Sequence, residues 1–429
     1  MVVDGIAHEE TADGWRLSAS VRPALPATDE PLYFEVHGAG PDWLAATGDA
    51  FLAALLLPAM GLDEELVIEA PVSRRLLRSA RTVMDIYAAW WGDRHRSVPL
   101  KCAAPAPAPA PAQFAGAAGT GAVGLYFTAG VDSFYSLLKD VELAADPGHD
   151  PVTHLLFANF ERRRGPAYDR LLGRLRRAAD QTGRRLVVIE TNVRSMTERA
   201  ARWPDYHGAA LASAALALQG LLGRCLIAAS DQYGHLPPLG SHPVLDHLWS
   251  TETLEIVHDG AEASRAGKVA RQLARSRLAL ETLTVCWRSE PARNCGACEK
   301  CLRTMVALEL AGSLGRCATL PRALDIQALR DVRMWGEPER DAMGSVAADA
   351  RSQGRRDIAD AIEDGLRRHD DPPPAGGLGG SPPQASGAGG LGGSPPQASG
   401  AGGLGGSPPQ ASTAGGLGGS PPQASGAVA

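Results

Sequence analysis

Four of the chain's seven cysteines fall in one short stretch, CWRSEPARNCGACEKC at 286–301. Cys286, Cys295, Cys298 and Cys301 have the spacing C-x8-C-x2-C-x2-C. Four thiolates suit a closed tetrahedral zinc site, which supplies structure rather than an activated water. Gly296 favours the tight turn such steps require. C-x2-C-x2-C also occurs in iron–sulfur loops, so a cluster is the rival reading. Unliganded buried thiols are the third. Cys102, Cys225 and Cys317 are scattered and form no pattern.

A second stretch able to do chemistry is TAGVDS, residues 128–133. Thr128, Ala129 and Gly130 are small, so backbone N–H groups there can approach a ligand closely. Asp132 and Ser133 open a helix, whose dipole favours an anion at that end. Both are also ordinary helix caps. No lysine follows, so this is not a G-x-x-x-x-G-K-[ST] loop. An alanine at 129 suits a close approach only while its φ stays negative. Further on, His242 in GSHPVLD, with Asp231, Asp246, His258 and Asp259, reads either as a set of substrate contacts or as structural turns. His258-Asp259-Gly260 either presents a base or turns the chain.

These residues need elements to position them. GAVGLYF is an apolar run opening a helix at about 132–145, THLLFANF a second strand, then a helix over 167–181 and the strand RLVVIETN. A helix through 208–220 and the strand RCLIAAS follow, with a further strand at LEIV. This alternation predicts an α/β fold, a parallel sheet with helices on both faces. Ligands in such sheets sit at the carboxyl ends of strands. In 1–100 the pattern gives strands near WRLSASV and YFEV, a helix around 46–60, a strand LVIEA and a helix near 72–92. Trp90 and Trp91 read as core and interface.

Segment composition divides the chain. Residues 1–100 read as a small α+β N-terminal accessory domain and 101–120, rich in Ala-Pro, as a semi-rigid linker. The main α/β unit spans 121–315, and 316–370 is a helical C-terminal extension. In 371–429 a Gly/Pro/Ser unit recurs with a period of 13, as Leu378, Leu391, Leu404 and Leu417 show, which predicts a disordered tail. A net charge of −6 calls for neither a nucleic-acid surface nor a polybasic membrane contact. FLAALLLPAM is too short to span a bilayer, and the N-terminus has no basic run followed by an apolar one. A cytoplasmic location is expected, where reduced thiols favour metal over disulfides.

TAGVDSFYSL resembles the SGGxDS pyrophosphate loop of the N-type ATP pyrophosphatases (PP-loop enzymes), with Thr128 for the usual serine and Ala129 for the first glycine. The cysteine spacing, in the same order after that loop, resembles the 7-cyano-7-deazaguanine synthase (QueC) family over roughly 121–315. FANFERRR is similar to that family's FDYGQRH, with Phe157 and Arg162 matching. Asp231 and Lys268 fall near its aspartate and lysine.

The resemblance implies a Rossmann-like (HUP-type) sheet with a zinc-binding C-terminal lobe. It implies ATP held by Phe127, Thr128, Ala129, Gly130, Val131, Asp132, Ser133, Phe157, Arg162 and Asp231. Asp132, Ser133 and Lys268 would be catalytic, Mg2+ would sit at Asp132, and Zn2+ would be held by the four cysteines. The implied reaction adenylates a 7-carboxy-7-deazaguanine-like carboxylate, releases pyrophosphate and passes the acyl group to ammonia or an amine. A second adenylation would dehydrate the amide to a nitrile, as in queuosine biosynthesis. Other PP-loop activities (tRNA modification, amide synthesis), conjugation to a protein acceptor in a defence locus, and an inert zinc- or nucleotide-binding module are the alternatives. Tyr206-His207-Gly208 and the loop 235–250 depart from the family's pattern and point to a different substrate or acceptor.

Overall fold

A computed structural model of the chain describes residues 1–23, 30–105, 121–286, 293–334 and 336–370. The N-terminal part forms β1 (Val2–Glu10), β2 (Gly14–Arg22), β3 (Leu32–His37), α1 (Asp49–Leu62), β4 (Leu66–Val72), α2 (Arg74–Trp91) and β5 (Leu100–Pro105). Strands and helices then alternate as β6 (Ala122–Tyr126), α3 (Val131–Leu143), β7 (His154–Asn159), α4 (Pro166–Thr182) and β8 (Arg185–Thr191). Next come α5 (Val193–Thr197), α6 (Trp203–Ala217), β9 (Leu222–Ala228), β10 (Glu255–Asp259), α7 (Arg265–Arg271) and α8 (Arg277–Thr282). The helices α9 (Glu299–Leu310), α10 (Ile326–Asp331), α11 (Glu337–Ser352) and α12 (Arg356–Asp370) complete the described chain.

All ten strands join one sheet, in the order β10-β9-β6-β7-β8-β3-β2-β1-β4-β5. From β10 to β8 every pairing is parallel. Counting from β6 as the first strand, this half has the order 3-2-1-4-5. The connections leaving β6 and β9 therefore diverge, and a crevice opens at their carboxyl ends, where doubly wound sheets take ligands. Residues 127–131 and 229–231 sit at those ends.

Burial explains why these runs became strands and helices. The run Val187–Asn192 at and beyond the end of β8 is buried throughout, as expected of a strand covered on both faces. In α1, Phe51 to Leu57 have no exposed surface, so the helix is apolar all round because it is enclosed. It shares a core with α6, an alanine- and leucine-rich helix. None of the described helices is long and apolar enough to cross a membrane.

Residues 1–100 do not stand apart. β3 runs antiparallel to β8 through Phe34–Thr191, Glu35–Glu190 and Val36–Ile189, and residues 1–372 form a single compact unit. The physical reason is edge coverage, since β8 would otherwise present an unpaired row of backbone groups. The expected linker also begins later than residue 101, because Leu100–Pro105 pair in parallel with β4 as an edge strand. Residues 106–120 and the repeat tail lie outside the described residues. The helices α10, α11 and α12 build a further apolar cluster with Leu302 and Val306 of α9.

Candidate active site and metal centre

β6 delivers the chain into the loop at 127–130. Phe127 is buried and packs edge-on against Phe134 at 4.9 Å. Thr128 is exposed, while Ala129 has no exposed surface. Ala129 takes φ 56°, contrary to the negative φ its methyl favours. The Thr284 N–H donates to the Ala129 carbonyl at 2.8 Å and holds this left-handed residue in place. Such strain persists only where the surroundings enforce it, and it concentrates at ligand sites.

Gly130 is the N-cap of α3, and no side chain caps the helix. Asp132 and Ser133 therefore do not act as the ordinary caps they could have been. The Ser133 hydroxyl donates to the Gly130 carbonyl (3.2 Å) and accepts from the Thr128 N–H (3.4 Å), bracing the loop. Val131 is buried beneath it. The positive end of α3 is left open for an anion.

Asp132 instead turns to two cations on α7. Lys268 Nζ donates to Oδ1 at 2.9 Å and Arg265 Nη1 to Oδ2 at 3.3 Å. Burial pushes the Asp132 carboxyl up, but Lys268 and then Arg265 outweigh it and hold it below the usual carboxylate value. Lys268 is 1% exposed, and its second bond goes to the Ala229 carbonyl at the end of β9, at 2.5 Å. Burial, then Arg303, brings Arg265 down to about 10. Asp231 is pushed up by burial first and by the Asp132 charge second. Two carboxylates and several cations thus converge on the crevice.

The four cysteines gather within reach of one ion, their sulfurs all within 4.8 Å of one another. Cys286 and Cys298 Sγ lie 3.7 Å apart, and Cys295 and Cys301 Sγ 3.9 Å. A tetrahedron with Zn–S bonds near 2.3 Å has edges of about 3.8 Å, so the set fits zinc. Gly296 takes φ 73°, and the Cys298 N–H donates to Cys295 Sγ at 3.3 Å, closing the turn. Cys298 is the N-cap of α9. Its thiol is lowered to about 5, first by the Cys301 hydrogen bond, and a thiolate is the form that ligates.

The two centres are physically joined. Thr284, which holds Ala129, lies two residues before Cys286. From the cysteines, α9 runs back into the charged cluster, where Thr304 Oγ1 accepts from Arg265 at 3.0 Å and Arg303 pairs with Glu299 at 2.9 Å. Glu299 Oε2 and Arg265 Nε are buried without a hydrogen-bond partner among the described residues. Unsatisfied polar atoms at such a place suit a polar ligand.

Other expected residues fall elsewhere. Phe157 is buried in the core against Tyr168, so its ring is not open to an adenine. Arg162 takes φ 50° and pairs with Glu30 at 3.2 Å, directed to the N-terminal segment and not to Asp132. Asp259 pairs with Lys139 of α3 at 2.6 Å. His258, its neighbour on the opposite sheet face, bonds to Asp246 at 2.7 Å. Sequence reasoning missed Arg265, Glu299, Arg303 and Thr304. One signal was available: Arg265 lies three residues before Lys268, on the same helix face. Comparison with protein-family models, curated proteins and solved structures finds no match.

Proposed function

We propose that the protein is an ATP-dependent, AMP-forming carbon–nitrogen ligase with a HUP-type catalytic half, close in chemistry to 7-cyano-7-deazaguanine synthase. One observation carries the reading. The uncapped start of α3, at the crevice beside β6, carries an aspartate gripped by a buried lysine and arginine. N–H groups of residues 130–133 and the Ser133 hydroxyl hold the pyrophosphate portion of ATP. Lys268 and Arg265 offset the negative charge that grows on it as the substrate carboxylate oxygen attacks the α-phosphorus. Pyrophosphate leaves, and an amine then attacks the acyl carbon and displaces AMP.

Asp132 and Asp231 are the carboxylates suited to Mg2+, because burial and then the Asp132 charge push Asp231 up, and a divalent cation offsets both. The ion would neutralise phosphate oxygens. Zinc at the cysteines would anchor the start of α9 and take no part in bond making.

The test is to incubate the protein with ATP, Mg2+, 7-carboxy-7-deazaguanine and ammonium, and to measure pyrophosphate and AMP. Asp132→Asn is the control, since it leaves an acceptor for Lys268. Wild type is expected to form both products in equal amounts, and the variant at least about 100-fold more slowly. Absence of turnover with this or other deazapurine acids would favour the inert module.

A further inference from the structure

The two segments that depart from the resembled family meet in space. Gly240 N–H donates to the Pro204 carbonyl at 2.9 Å, and a Cβ on Gly208 would sit 2.0 Å from the Gly240 oxygen. Only glycines permit this backbone contact, which docks the loop 240–246 onto the start of α6. The loop carries Asp246, which has no exposed surface. Ser241 Oγ donates to its Oδ2 at 2.7 Å, and the His242 N–H to its Oδ1 at 3.3 Å. His258, at the carboxyl end of β10, places Nδ1 2.7 Å from Oδ2.

These bonds set the state of each ring. The Asp246 carboxylate accepts, so His258 Nδ1 carries the proton and Nε2 presents its lone pair. His242 is wired the other way: its Nδ1 accepts from the Val244 N–H at 3.1 Å, which leaves Nε2–H as a donor. The His242 ring stands edge-on to Trp90 of α2 at 5.0 Å. His258 keeps 6% of its side-chain surface exposed against none for Asp246, so what solvent contact the pair has is at the imidazole. Asp231 from the β9 loop and His258 both act electrostatically on His242, and Asp246 and Lys300 act on His207 of α6. His258 lies across from Ile227 in the parallel β9–β10 register, so it stands at the carboxyl end of β10, beside the end of β9 that leads to Asp231.

We propose that His258, oriented by Asp246, is the general base that deprotonates the amine acceptor. The inference rests on the adenylation proposed above. As the amine nitrogen bonds to the acyl carbon, the bond from that carbon to the AMP oxygen breaks. AMP leaves with the electron pair, and the amine proton passes to His258 Nε2. Asp246 is a positioning residue, fixing the tautomer and the ring.

His258→Asn tests this, because an Asn side-chain N–H can still donate to Asp246 while the basic nitrogen is gone. Three rates are compared with wild type: carboxylate-dependent ATP–pyrophosphate exchange, amide formation from methylamine, and hydroxamate formation from hydroxylamine, which attacks without a base. Exchange and hydroxamate formation are expected within about twofold of wild type, and amide formation about 100-fold lower or worse. Asp246→Asn is expected to show the same selective loss. Equal loss of all three rates, or an unchanged amide rate, would overturn the base assignment. A wild-type protein that shows no exchange would overturn the adenylation reading and the base with it.

Discussion

Lys268 bears most on the chemistry at the level of single residues. It is an amine almost wholly withdrawn from water and matched to one carboxylate and one carbonyl. Losing one partner of such a pair costs about 3 kcal/mol, and less here because Asp132 keeps some solvent contact. Lys268→Met should lower both stability and pyrophosphate release, whereas Asp132→Asn should lower release with a smaller fall in Tm. Thermal melts run beside the release assay separate the two effects. His242 gives a pH prediction. Burial, its largest influence, holds its pKa below the ordinary histidine value, so the unfolded chain binds the proton more readily. Its contribution is complete above about pH 6.5 and fades as the pH falls below that. The loss of Tm between about pH 7.5 and about pH 5.5 should be smaller in His242→Asn than in wild type.

α9 is the element that joins the cysteine quartet to the charged cluster. Cys298 is its N-cap and Cys301 lies in its first turn, and one turn later it presents Thr304 to Arg265. Stripping zinc with a chelator should lower Tm and pyrophosphate release together, and metal analysis should find one zinc per chain, lost in a Cys298→Ser/Cys301→Ser variant. The contact between Gly208 and Gly240 is an equally sharp dependence. Gly208→Ala drives a Cβ into a backbone oxygen and should cost more than about 2 kcal/mol in denaturant unfolding. Both the cysteine quartet and the TAGVDS loop were legible in the sequence because their chemistry lies in local spacing. Arg265 and Thr304 were not, since they gain meaning only when α7 and α9 pack side by side. Arg162 and Phe157 lie elsewhere for the converse reason: similar local text, but a neighbouring Glu30 and a doubly covered strand claimed the side chains.

For the molecule as a whole, the ten-stranded sheet makes the N-terminal hundred residues part of the framework. The parallel half was readable from alternating apolar runs and helices. The antiparallel join of β3 to β8, and the strands β1 and β5, were not, because register between distant strands leaves no local trace. Removing residues 1–105 would bare the β8 edge and strip α1 from the core it shares with α6. The truncated chain is expected to aggregate, whereas an independent catalytic domain would elute as a soluble monomer in size-exclusion chromatography. The account as a whole turns on where the triphosphate binds, and a structure determined with α,β-methylene-ATP and Mg2+ tests that most directly. It should show the β- and γ-phosphates accepting from N–H groups of Gly130 to Ser133, with Lys268 alongside. Nucleotide bound elsewhere, with that helix start untouched, would contradict it.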